Sequence, residues 1–442
     1  MTIQLSDHFT YRKLLRFTLP SIVMMIFTSI YGVVDGLFVS NFVGKTPFAA
    51  VNFIMPFLMI LGTVGFMFGT GGSALIAKTM GEGDHEKANR LFSLFVYTSA
   101  ALGIVIALLA FLLIRPVASL LGAEGTLLED CVIYGRIIIL ALPGFILQME
   151  FQSFFVTAEK PQLGLLVTVI SGVANMVLDA LFMAVFHWGL VGAAVATAIS
   201  QLLGGIIPLL YFSSPNKSLL KLGKTAYDGR ALLKAATNGS SELMSNISMS
   251  LVSMLYNAQL IRYAGEDGVA AYGVLMYVNL VFLAIFIGYS IGTAPIIGYH
   301  YGAANHGELS SLLKKSLILL VISSVCMLGL SEGLAYPLSR IFVGYDDALF
   351  NLTVRGFVIY SFSFLFAGIS IFGSSFFTAL NNGLISAAIS FLRTLVFQIA
   401  AVLLLPLVLG IDGIWLSIVV AEVVACAVSL LFIVANRRTY HY

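Results

Sequence analysis

The chain has 442 residues, of which 59% are apolar and only 10% charged, and its mean hydropathy is +1.00. Soluble domains carry about 25% charged residues, so this composition belongs to an integral membrane protein with little mass outside the bilayer. A net charge of +2 gives no reason to expect a nucleic-acid partner, and three scattered cysteines indicate neither a disulfide framework nor a zinc site.

Apolar stretches of about 20 residues or more predict an all-α membrane protein with twelve transmembrane helices. Their spans are 14–40, 52–78, 90–114, 132–158, 163–186, 190–212, 232–261, 272–298, 314–336, 350–378, 384–408 and 412–435. The first is too long for a cleaved signal and is expected to remain as helix 1. Helix 1 carries Tyr31 and Asp35, four residues apart and so on one face. In helix 2, Gly69-Thr70-Gly71-Gly72-Ser73 resembles part of a phosphate loop, but no strand precedes it. Gly65-xxx-Gly69, and Gly288-xxx-Gly292 in helix 8, fit close helix packing instead.

Helix 4 contains Glu150, helix 5 contains Asn175 and Asp179, and helix 6 contains Thr197. Residues 213–231 form the longest internal connection, separating an N-terminal lobe at 1–212 from a C-terminal lobe at 232–442. Glu242 lies on helix 7, Glu332 near the outer end of helix 9, Arg393 on helix 11 and Glu422 on helix 12. Pro20, Pro56, Pro143, Pro208, Pro295 and Pro406 fall within or near the apolar runs, where neighbouring helices can satisfy the freed carbonyls. No HExxH, nucleophile elbow or Walker sequence appears, and the six histidines are dispersed. Neither an enzyme site, a metal site nor a cofactor is expected.

Sixteen of the 23 lysines and arginines fall on the side of the membrane that holds both termini. The excess places both termini in the cytoplasm. A shift of 221 residues brings the chain onto itself: Lys13 on Lys234, Gly81 on Gly302, His85 on His306, Pro116 on Pro337 and Thr157-Ala158 on Thr378-Ala379. Six spans per half give both halves the same orientation. The two six-helix bundles should therefore be related by a pseudo-twofold axis along the membrane normal, with a substrate site between or within them. Such a layout suits alternating access, and one duplicated chain suffices for function as a monomer.

Depth decides which buried polar groups can meet. At 1.5 Å per residue, Asp35 lies about 8 Å inside the outer end of helix 1, while Asp179 and Thr197 lie about 11 Å inside theirs. Asn175 shares the face of Asp179, and Tyr31 that of Asp35. A carboxylate at bilayer depth costs roughly 2.5–3.5 kcal/mol on insertion scales, which makes two of them candidates for coupling chemistry. Such a pair, with the oxygens and donors of Asn175, Thr197 and Tyr31, suits a proton or a sodium ion. The competing reading is a static hydrogen-bond network that staples the bundle. Glu150 and Glu242 are candidates to attract a cationic substrate, against the plainer reading of a carboxyl at a helix end. Arg393 and Glu422 read as an internal ion pair.

Several of these residues resemble a known family. Val34-Asp35-Gly36 through Gly44 is similar to the first helix of multidrug and toxic compound extrusion (MATE) transporters. Asn175-Met176-Val177-Leu178-Asp179, Gly189 through Gln201, and Pro295 through Ala303 resemble that family's helix 5, helix 6 and helix 8 signatures. The resemblance spans essentially the whole chain. It implies an antiporter that exports cationic or amphipathic organic compounds from the cell membrane, driven by inward flow of protons or sodium ions. It also implies that Asp35, Asn175, Asp179 and Thr197, with Tyr31 beside them, match the first-lobe cation site of the DinF-like branch. Another branch uses acidic residues on helices 7 and 10, but residues 350–378 contain no Asp or Glu. The alternatives are a flippase of lipid-linked saccharides, for which only Arg393 supplies deep positive charge, and a membrane-embedded enzyme or channel.

Overall fold

Short polar turns start the helices. Thr10, Asp84, Asp228, Asn305, Asp346 and Asn382 each accept a backbone N–H from the first turn of the helix that follows, which satisfies donors a helix leaves free at its start. In the computed structural model, which describes residues 2–442, the helices are α1 Tyr11–Phe42, α2 Lys45–Gly81, α3 His85–Leu120, α4 Gly125–Leu140, α5 Leu142–Thr157, α6 Pro161–Asp179, α7 Gly189–Ser213, α8 Gly229–Asn238, α9 Ser240–Gly302, α10 His306–Val343, α11 Asp347–Ser361, α12 Phe364–Ala379, α13 Gly383–Phe391, α14 Phe397–Leu404, α15 Pro406–Leu409, α16 Ile411–Ala435 and α17 Arg437–Tyr440. A π-helical turn, Ala180–Val185, continues α6, and another, Leu392–Val396, joins α13 to α14.

Among the described residues, nine runs are long and apolar enough to cross a membrane, and two bent pairs raise the number to eleven. Those pairs are α4 with α5, at 58°, and α11 with α12, at 49°. The 63-residue α9 is two spans joined at Gly265, whose φ of 65° and ψ of −151° interrupt the helix. Glycine adopts this conformation without steric penalty. The chain thus makes twelve spans in two six-helix lobes, α1–α7 and α8–α16.

Several helices run past the expected spans: α2, α3 and α10 begin and end several residues beyond 52–78, 90–114 and 314–336. Hydropathy registers only the length in contact with lipid, whereas these helices continue into the polar turns. The open connection expected at 262–271 is replaced by the single break at Gly265. Residues 214–228 lie along α3, with the Lys221 N–H on Asn89 Oδ1 at 2.8 Å and the Gly223 N–H on Ser93 Oγ at 3.0 Å.

Glycines decide where the lobes touch. A methyl group on Gly81 would overlap the Tyr299 carbonyl oxygen, and one on Gly302 would overlap that of Lys78. These two contacts map onto each other under the 221-residue shift. So do Gly71 against Gly239 and Gly292 against Thr18, where an added methyl would sit 3.0 Å from Thr18 Cγ2. The interface is therefore self-complementary, as twofold symmetry requires. Gly288 packs against Ser21 and Ile22 of α1, whereas Gly65 and Gly69 face Ile146 and Glu150 of α5 within the first lobe. The interlobe crossings at Gly81 and Gly302 lie at the end of the molecule that holds both termini. There Tyr440 meets Tyr301, and the Asn382 amide donates to the Tyr440 hydroxyl.

Candidate functional site

Within the first lobe, one polar seam lies where α1, α4, α6 and α7 come together. Asp179 closes α6 as the chain enters its π-helical turn. π-turns widen a helix locally and recur at functional sites. Asp179 is fully buried, and Asn175 and Thr197 are buried beside it. The Asn175 amide donates to Thr197 Oγ1 at 3.4 Å. Asp35, half-buried on α1, turns its carboxyl to within hydrogen-bonding reach of the Asp179 carboxyl. Tyr31 lies one turn below, beside both Asp35 and Gln148. Its ring packs on Phe27 at 5.8 Å and against Gly172, where a side chain would collide with it.

The five residues expected to cluster are thus brought to one place. Sequence reasoning missed others. The buried hydroxyl of Tyr134, on α4, lies beside Asp35, Asp179 and Thr197. Gln148 donates to Ser171 Oγ at 3.2 Å, Ser171 to the Ser200 carbonyl at 2.6 Å, and Ser200 to the Thr197 carbonyl at 3.0 Å. A polar thread therefore runs from Tyr31 and Gln148 through α6 and α7 back to Thr197. The available signal was Gln148 itself, an amide that shares its membrane helix with Glu150 and Gln152.

The cluster is incomplete in hydrogen-bond terms. Among the described residues, both carboxyl oxygens of Asp179, Oδ1 of Asp35 and Oδ1 of Asn175 receive no donor. Ionised carboxylates only accept, so two that face each other cannot satisfy one another. Two unit charges 4 Å apart repel by roughly 4 kcal/mol at an effective dielectric of 20. A proton shared between them, or a small cation held by both, removes the repulsion and fills the empty acceptor positions. The donor set of carboxylate, amide and hydroxyl oxygens suits either. Among the described residues no group of three or more His, Cys, Asp or Glu is placed to hold a metal ion.

The two other glutamates are separated. Glu150 is fully buried, accepts from Ser99 Oγ of α3 at 3.0 Å and leaves Oε2 without a donor. Glu242, in the first turn of α9, is half-buried. α2 passes between their helices, presenting Gly69 to Glu150 and Gly71 to Ala235 and Gly239. Arg393 and Glu422 do pair: Nε reaches the two carboxylate oxygens at 3.1 and 3.0 Å, and Nη2 reaches Oε1 at 2.9 Å. Glu332 has one carboxyl oxygen buried without a donor.

The MatE family model matches the chain twice, over residues 20–181 and 243–404. The multidrug export protein MepA of Staphylococcus haemolyticus is 26% identical over 435 residues, covering 97% of this chain and 94% of its own. MepA of Staphylococcus aureus strain MRSA252 is 24% identical over 433 residues, with the same coverage. Among solved structures, the outward-facing conformation of a multidrug resistance MATE family transporter of the MOP superfamily superposes with a TM-score of 0.94. It is 21% identical, and the match covers 100% of this chain and 98% of that one.

Proposed function

Because the chain belongs to the MATE family and is a multi-pass membrane transporter rather than an enzyme, we propose that it exports cationic or amphipathic organic compounds by cation-coupled antiport. Asp35 and Asp179 take up the driving ion, a proton or Na+, from outside. Asn175, Thr197 and Tyr31 hold the site in shape. The observation that carries this reading is the pair of facing carboxyls with no donor between them, one on α1 and one on α6. A static staple would be complete as built, with each acceptor met by a donor. A proton shared by the two carboxyls, or a small cation between them, would supply what this cluster's acceptors lack.

The two lobes alternate about the interface between them, and Glu242, in the first turn of α9, attracts the cationic substrate. Glu150, buried against Ser99 and Gly69 within the first lobe, is the second carboxyl proposed for that role. Both termini lie in the cytoplasm, so the crossings at Gly81 and Gly302 close the cytoplasmic side and the arrangement is the outward-open one. Ion binding removes the repulsion between two helices that belong to different parts of the first lobe. It thereby changes how α1 packs. Because α1 also lines the lobe interface through Thr18, Ser21 and Ile22, a change at Asp35 reaches the surface on which the lobes rock. A single duplicated chain contains all of these parts and works as a monomer within membrane lipid.

The test is dye efflux in inverted vesicles with pH and sodium gradients imposed separately. Asp35→Asn and Asp179→Asn should each abolish gradient-driven export of a cationic dye while the protein remains in the membrane. Wild-type export by both variants would place the coupling ion elsewhere.

A further inference from the structure

Residues 2–10, which precede α1, form no helix, yet Leu5 and Phe9 are fully buried. Their backbone groups are met by side chains rather than by secondary structure, and those side chains come from both lobes. On the first-lobe side, the Leu5 N–H donates to Glu159 Oε1 at 2.7 Å, in the turn between α5 and α6. On the second-lobe side, Glu308 in the first turn of α10 takes the Phe9 N–H on Oε1 at 2.9 Å and His8 Nδ1 on Oε2 at 2.6 Å. Lys315, two turns along α10, donates to the Phe9 carbonyl at 2.6 Å. The Phe9 ring meets the buried His300 edge-on at 6.5 Å. Lys13 pairs with Asp7 at 3.0 Å and steadies the turn.

We propose that residues 3–9 are a latch: they hold the lobes together at the cytoplasmic end and let go of α10 when the inward-open state forms. The inference rests on the alternating-access reading above. Its asymmetry follows from connectivity. The strap continues directly into α1, and Glu159 lies between α5 and α6, so both belong to the first lobe. Separation of the lobes leaves those two together and pulls Phe9 and His8 away from Glu308, Lys315 and His300. The second-lobe grip is the part that opens. It also connects, through one continuous helix, to the carboxyl of Asp35.

Two measurements decide it, in a background with Cys131, Cys326 and Cys426 replaced by serine. Spin labels at Lys87→Cys with Lys314→Cys report the cytoplasmic end, and labels at Glu124→Cys with Tyr345→Cys report the outer end. Adding Glu308→Gln with Lys315→Met should lengthen the cytoplasmic distance and shorten the outer one. Distributions identical to the parent's would overturn the latch. If neither pair moves in the parent when ion and substrate are varied, it is the alternating-access reading that fails. The second measurement does not depend on how well that variant folds. His8→Cys with Glu308→Cys, oxidised to a disulfide, should stop efflux, and reduction should restore it. Efflux that continues with the disulfide intact shows that the strap need not release, and the proposal is lost.

Discussion

Arg393 and Glu422 show how a buried charge is tolerated in the second lobe. The guanidinium and carboxylate are exposed by only 15% and 3%, and the three contacts between them leave little of either charge unanswered. Removing one partner strands the other: Arg393→Met should lower stability by about 3–5 kcal/mol, because an unpaired carboxylate remains in an apolar bundle. Arg393→Met with Glu422→Leu should recover most of that loss. Thermal unfolding in detergent checks both, and a single variant as stable as the double would mean the pair carries no such strain. The difference between what could and could not be read from the sequence is also plainest at single residues. Asp35 and Asp179 stood out because a carboxylate is costly within 25 apolar residues. Tyr134 gave no comparable signal, since a tyrosine is at home in any membrane helix. Its place beside the two carboxyls depends on how α4 is rotated against α1 and α7, which hydropathy does not encode.

Helix bends show the limits of reading proline. Pro143 sits in the first turn of α5, at the 58° bend that divides the fourth span, where proline is a common cause of a kink. The matching span of the second lobe bends by 49° between Ser361 and Phe364, with no proline there. Ser361, held by Ser331 and by its own Phe357 carbonyl, does the local work instead. Two sequences with different breakers at corresponding positions give nearly the same angle, so packing within the lobe sets the bend and proline only eases it. Pro143→Ala should therefore keep the α4–α5 angle and the position of Gln148. A structure in which α4 and α5 straighten into one helix would assign the bend to proline after all. The same reasoning explains why the twelve spans were legible while the ends and breaks of α2, α3, α9 and α10 were not. Apolar length marks the lipid, whereas termination depends on caps and on single residues such as Gly265.

Across the whole molecule, the glycines divide into two sets that should respond differently to substitution. Gly65 and Gly69 bring α2 against α5 inside one lobe, and those helices stay packed whichever way the transporter faces. Gly81 and Gly302 meet Tyr299 and Lys78 across the lobe interface, at the end that the proposed alternating-access cycle would open to substrate. In both sets the obstacle to an added methyl is a backbone carbonyl, which cannot swing aside as a long side chain would. Gly65→Ala therefore strains the fold itself, and a loss of the usual size for overpacking, about 1–3 kcal/mol, should appear as a lower unfolding temperature. On the proposed cycle, Gly81→Ala strains only the arrangement in which this end is closed. Its lobes can relieve the clash by separating, so stability should change little while the distance between labels at positions 87 and 314 lengthens. If the proposed antiport cycle holds, gradient-driven efflux should fall, because the outward-open state becomes harder to reach, and binding of substrate from the cytoplasmic side should persist. A Gly81→Ala protein that unfolds early, with the label distance unchanged, would show that this crossing is fixed scaffold and that the moving surface lies elsewhere.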